Sequence, residues 1–183
     1  MKISSIVAVA ISLLFLAACS APVEQAGIPK AATLGDEATG YYCQMILIDH
    51  DGPKAQIFLK GQDKPLWFAQ VRDAIAYLRA PEQSGEIVAF YVNDMGKADS
   101  WAEPGIDNWI KAKNAFYVMG SDAEGGMGAP EMVPFADKQQ AEKFALERGG
   151  KVVALDDIKQ EMVLSPVEFD GAKMQMEMGD KPQ

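Results

Sequence analysis

Twice along this chain the same order of short segments recurs: an apolar run, a turn rich in Gly or Pro, a second run, a helix and a closing run. Neither unit has enough apolar positions to bury a face alone, so the two must pack on each other or share a sheet. In the first unit, residues 44–49 (QMILID) read as a strand, Asp51-Gly52-Pro53 as a turn and residues 55–60 (AQIFLK) as a second strand. Val71, Ile75 and Leu78 then share one helical face, stopped by Pro81, and residues 86–93 (EIVAFYVN) are branched and aromatic enough for a strand. In the second unit, residues 114–119 form a strand and residues 120–129 a Gly-rich turn. Residues 131–135 follow as an edge segment marked by Pro134. Asp137 caps a helix with Gln140 in capping-box position, Gly149-Gly150 ends it, and residues 151–155 close the unit. The expected fold is α+β, two related ββαβ lobes (40–93 and 114–158) packed together. A connector, 94–113, carries Trp101 and Trp109.

The ends lie outside these units. Lys2 and the apolar run 3–18 form a secretory leader, short of the ~20 residues that comfortably span a bilayer. Leu16-Ala17-Ala18-Cys19 resembles the bacterial lipobox. It predicts a signal peptide over 1–18, lipid on the Cys19 sulfur and a flexible tether over 19–39. Residues 159–183 are expected to be a polar tail that carries Met174, Met176 and Met178. With 26 acidic residues against 17 basic ones, the formal charge is −9. Nucleic acid is excluded as a partner, because phosphate contacts need clustered Lys and Arg.

The cysteine count then constrains function. The chain has two cysteines and one histidine. If Cys19 carries lipid, Cys43 has no partner within the chain, although exported proteins normally pair their thiols. Cys43 is then a buried small hydrophobe, an intermolecular disulfide former, a catalytic thiol or a metal ligand. In the expected strand, Cys43 and Met45 stand at i and i+2 and point to one face. His50 lies past that strand, at the turn. On the matching loop of the second unit, Met127 stands between glycines with little bulk to pack against.

Thiolate and thioether donors together suit Cu(I). A four-ligand Cys/His zinc site cannot be assembled from one free Cys and one His, and an iron–sulfur cluster lacks cysteines. Core packing remains as good a reading for Met45, and a solvent-facing turn residue for His50.

The stretch CQMILIDHDGPKAQI resembles the Cys-X-Met…His-X-Gly-Pro-Lys segment of the NosL family, the nitrous oxide reductase accessory lipoproteins. The resemblance continues through Val71-Arg72-Asp73, Ala80-Pro81-Glu82-Gln83 and Tyr91-Val92-Asn93-Asp94-Met95-Gly96-Lys97. It reaches residues 109–112, Ala115-Phe116-Tyr117-Val118 and Met127-Gly128. It implies a non-enzymatic Cu(I) chaperone, periplasmic and lipid-anchored, with the outer membrane expected. Its partners would be nitrous oxide reductase, whose copper–sulfide centre it supplies, and an ABC-type transporter assembly. It also implies similarity to the alkylmercury lyase fold. Carried over, Cys43 and Met127 are the first-choice Cu(I) ligands, Met45 the second, and His50, which matches a family histidine, the last candidate ligand. Many relatives have Gly where Gln44 stands. The competing readings are an organomercury-lyase-like thiol enzyme, which one cysteine serves poorly, and a scaffolding lipoprotein that binds no metal.

Overall fold

The computed structural model describes residues 27–164. Strand β1 (Ala55–Leu59) is buried along its whole length because both faces are covered: Ala55, Ile57 and Leu59 enter the main core, while Gln56 and Phe58 meet Ala31 and Ala32 on the other side. It pairs antiparallel with β2 (Leu66–Phe68) and β3 (Ile87–Asn93), and β4 (Trp109–Lys111) extends the sheet in the order β2-β1-β3-β4. Between β2 and β3 in sequence runs helix α1 (Val71–Arg79), with Val71, Ala74 and Ile75 fully buried. The second unit repeats the plan. Strand β5 (Phe116–Met119) lies between β6 (Val133–Phe135) and β7 (Lys151–Ala154), and helix α2 (Lys138–Arg148) falls between β6 and β7 in sequence. In both units the first strand is central, the second forms a hairpin with it and the third returns on its other edge. This is the expected α+β pairing of ββαβ units.

One core runs through both lobes. Ile57, Phe68, Ile75 and Val92 of the first pack with Tyr117, Met132 and Leu155 of the second. The Tyr117 hydroxyl, inside that core, donates to Ala112 O at 2.7 Å, and burial raises its pKa. Helix α2 sits at the surface. Asp137 caps it by accepting from Gln140 N at 3.0 Å, only Ala141 is buried, and Leu146 is left exposed. Phe144 packs on Phe135 with centroids 5.3 Å apart. Pro134 stands on β6, an edge strand, where its missing N–H breaks no inner ladder.

Four expectations change. Residues 44–49 are not a strand: Gln44 has φ +56°, and Leu47–Asp49 form a single 3₁₀ turn. A left-handed residue reverses the chain, so Cys43 and Met45 share no strand face. The strand that completes the first ββαβ unit is β2, a three-residue segment too short to show a period.

The tether predicted over 19–39 is, in its last part, folded structure. Leu34 is buried, Ala32 exchanges hydrogen bonds with the buried Gln56 side chain (2.8 and 2.9 Å), and the Tyr91 hydroxyl donates to Pro29 O. Gln56 on a central strand needs amide partners, and this segment supplies them. The connector 94–113 contributes β4, where Trp109 meets Trp67 (5.7 Å), and Trp101 lies against Gly52, so both indoles pack on the fold. The polar tail from 159 begins with helix α3 (Gln160–Leu164). Its Val163 is buried, and Arg72 Nε donates to Val163 O at 3.0 Å. The leader, Cys19 and Met174, Met176 and Met178 lie outside the described residues. Among the described residues no helix is long and apolar enough to cross a membrane.

Candidate metal centre

Cys43 sits in a closed turn docked on the edge of the first sheet. Thr39 and Ile46 bridge its base, and Gly40 N donates to Met45 O at 2.9 Å. Gln44 N donates back to Gly40 O (2.8 Å), while Tyr41 N reaches Trp67 O on β2. The left-handed Gln44 is held by its own amide, which donates to Tyr41 O at 2.8 Å. Inside this turn the half-buried, free Cys43 thiol lies directly over Gly40, where any Cβ would collide with Sγ. Around it Tyr42, Met45, Ile46 and Ile48 are exposed, and only Leu47 of the apolar run is buried. Met45 is thus beside Cys43 on the turn and open to solvent. Tyr42 packs edge-on to Phe68 at 5.6 Å, and burial together with nearby Asp73 raises its pKa.

His50 follows the 3₁₀ turn. Its Nδ1 lies 3.0 Å from Gly126 O. A carbonyl only accepts, so Nδ1 carries the proton and the neutral ring keeps its lone pair on Nε2. His50 also lines a cavity of about 350 Å³ with Ile48, Lys54, Asp99 and Pro104. Lys54 is buried. Its Nζ donates to Asp51 O (3.1 Å) and Gly52 O (2.5 Å), fixing the bend after His50, and its N donates to Asn93 Oδ1 (2.7 Å). Burial pulls the Lys54 pKa down to about 8 against the opposing charges of Glu131 and Asp51.

Met127, half-buried, occupies the loop between β5 and β6. Gln70, buried at the N-cap of α1, accepts from Met127 N (3.1 Å) and Ala129 N (3.4 Å) through Oε1 and donates to Asp73 Oδ2 (3.1 Å). Glu131, buried at the end of the same loop, reaches the other way. It accepts from Val71 N (3.2 Å), Arg72 N (2.9 Å) and Met132 N (2.8 Å), filling the cap that no side chain of α1 supplies. Burial pushes the Glu131 pKa up to about 8 even with those three N–H groups on it.

Ala69-Gln70 is where the parts meet. A Cβ on Gly126 would come within 2.7 Å of His50 Cβ, 3.0 Å of Asp51 O and 3.1 Å of Ala69 O. The Gly40 position under Cys43 reaches Ala69 N at 3.9 Å. The Met127 loop therefore touches His50 directly, and the Cys43 turn approaches the same dipeptide from the first sheet. Among the described residues, no three of His, Cys, Asp and Glu are grouped to hold a metal ion. A metal centre here has to draw on thioether sulfur, the soft donor set. Residues 31–53 and 114–137 contain no Lys or Arg, so neither donor-bearing segment carries a charge of its own that would repel a cation.

Sequence reasoning missed Lys54, Gln70, Asn93 and Glu131. The first and third lie inside the motifs that carry the resemblance but were read there as pattern. Gln70 and Glu131 had no local signal, because each serves a partner 57 or more residues away.

Fold and site together define a two-lobed α+β protein with, among the described residues, one free thiol, and with that thiol and a methionine on turns of its two lobes. The NosL model matches residues 31–163, most of the chain, and the chain belongs to the NosL family. It is 55% identical over 163 residues to the copper-binding lipoprotein NosL of Achromobacter cycloclastes, covering 88% of this chain and 83% of that one. It is 33% identical over 141 residues to the copper-binding lipoprotein NosL of Stutzerimonas stutzeri, covering 77% and 71%. The crystal structure of the copper chaperone NosL from Shewanella denitrificans superposes with a TM-score of 0.67 at 31% identity, covering 72% of this chain and 96% of that one.

Proposed function

We propose that this chain is a Cu(I) chaperone, with no catalytic role, that carries copper to the maturing copper–sulfide centre of nitrous oxide reductase. It works from the periplasm on a lipid anchor at Cys19, in the outer membrane, beside an ABC-type transporter assembly. Cys43 and Met127 hold the ion, and Met45 and Nε2 of His50 are the further donors within the same surface. The observation that carries this reading is the meeting of the Cys43 turn, His50 and the Met127 loop at Ala69-Gln70. The names of the relatives point the same way.

The chemistry follows from the donors. Cys43 binds as thiolate, so loading releases a proton. A thioether does not compete for protons near neutral pH, and Cu(I) accepts few ligands, so a coordination position stays open. An acceptor's donor enters there and the ion passes by ligand exchange. Exposure of Met45, Ile46 and Ile48 around the thiol leaves room for that approach.

The test is a Cu(I) competition titration against a coloured chelator, with the soluble 20–183 form. Cys43→Ala should lose at least about a hundredfold in affinity and Met127→Ala about tenfold, each tenfold being 1.4 kcal/mol. A Cys43→Ala protein that competes like the parent would overturn the assignment.

A further inference from the structure

We infer that Gln70 is a positioning residue for the metal centre, one that sets where Met127 stands relative to Cys43; this rests on the copper reading above. Three observations carry it. The Gln70 side chain is buried and bridges the lobes, accepting from Met127 N and Ala129 N across 57 and 59 residues of sequence. Its backbone is the N-cap of α1, and the preceding Ala69 is the residue that a Cβ on Gly126 would crowd at 3.1 Å and a Cβ on Gly40 would reach at 3.9 Å. The contact is also reciprocal: Gln70 of the first lobe holds the second lobe's loop, while Glu131 of that loop caps the first lobe's helix.

An amide suits this position for a chemical reason. Two backbone N–H groups need an acceptor, while Asp73 needs a donor, and an amide offers both, its carbonyl oxygen carrying two lone pairs for the two N–H groups and its NH2 donating to the carboxylate. The fit is close on the loop side. A Cβ on Gly125 would come within 2.8 Å of Gln70 Oε1 and 2.5 Å of Glu131 Oε2, so the chain before Met127 is pinned between the two side chains. Without the amide, Met127 N and Ala129 N lose their acceptor, and the loop that carries Met127 is no longer held in one position.

Gln70→Ala and Gln70→Leu test this in the 20–183 form. The leucine variant fills the space with no polar atom, which separates lost hydrogen bonds from a cavity. Both should bind Cu(I) about tenfold more weakly, the scale of one or two hydrogen bonds. Neither should weaken binding further in a Met127→Ala background. In the metal-free proteins, the Met127 and Ala129 amides should exchange with solvent faster than in the parent. Parent-like affinity, or an equal loss with and without Met127, would overturn the positioning role. So would parent-like amide protection in Gln70→Leu. If Cys43→Ala and Met127→Ala bind copper like the parent, the copper reading fails instead, and amide exchange alone then decides whether Gln70 holds the loop.

Discussion

The two turns that carry the proposed sulfur donors are built in opposite ways. The Cys43 turn hangs on the edge of the first sheet by backbone bonds, surrounded by exposed Tyr42, Met45, Ile46 and Ile48. The Met127 loop is clamped from below by buried Gln70 and Glu131 and from the side by His50. One donor is presented and the other is held. For the proposed carrier this difference is useful: a fixed thioether would keep the site in register, while a half-buried thiol on an exposed turn could be reached by an incoming donor. It also separates two kinds of mutational effect, on stability and on copper.

Gly126→Ala should give the largest stability change. The new methyl meets two backbone carbonyls and His50 Cβ, none of which can swing away. Overpacking of that kind costs about 1–3 kcal/mol, and urea denaturation would measure it. Gly40→Ala meets chiefly the Cys43 sulfur, with Leu47 Cδ1 at 3.6 Å. It should turn the thiol aside, lowering Cu(I) affinity more than it lowers the melting temperature. If both variants lose only stability, the contrast between held and presented donors is wrong.

The clamp should also show in the pH dependence of stability. Glu131 has a folded pKa of about 8 against a usual 4.5, so between those values the folded state binds more protons than the unfolded one. Stability therefore falls as pH rises from 4.5 to 8, by up to a few kcal/mol. Lys54, lowered to about 8 from 10.5, acts in the opposite sense above pH 8, where the unfolded state binds the extra proton. Denaturation across pH 5–8 should show the decline in the parent and a flatter profile in Glu131→Gln. An unchanged slope in that variant would remove Glu131 as its cause.

The smallest effect concerns Gln44. A left-handed non-glycine backbone costs roughly 1–2 kcal/mol, which Gly would avoid, but Gly also loses the amide bond to Tyr41 O and gains unfolded-state entropy. Gln44→Gly should shift stability by less than about 1 kcal/mol and leave Cys43 ligation intact. A large loss of Cu(I) affinity would mean that Gln44 does more than close the turn. The Gly expected at this position in relatives fits the φ of +56° found here.

Much of the fold was legible because its signals are local. The helical spacing of Val71, Ile75 and Leu78, the Asp137 cap and Gly149-Gly150 each act within a few residues. So do the branched runs of β1, β3, β5 and β7, and all stand where the pattern puts them. The exceptions were segments whose conformation is decided elsewhere. Residues 44–49 have strand composition, yet only Leu47 finds a core, and the reversal at Gln44 turns the run into a loop. Strands β2 and β4 and helix α3 are too short to show a period, and they form because β1, β3 and α1 give them edges and faces to pack on.

For the candidate site the division is similar. From sequence alone came the donor types and the isolation of Cys43 once Cys19 is assigned to lipid. The match of the Met127 loop to the turn near His50 does not survive: with β1 and β2 as the first pair of strands, that loop corresponds to residues 60–65, and the Cys43 turn precedes the repeat. The tertiary structure decided that both turns meet at Ala69-Gln70, that His50 points Nδ1 at Gly126, and that Gln70 and Glu131 bind each other's lobe. The physical reason is one of range. Propensity, capping and turn chemistry act over a few residues. A buried amide or carboxylate must find its partners wherever the packed chain brings them, here from another lobe.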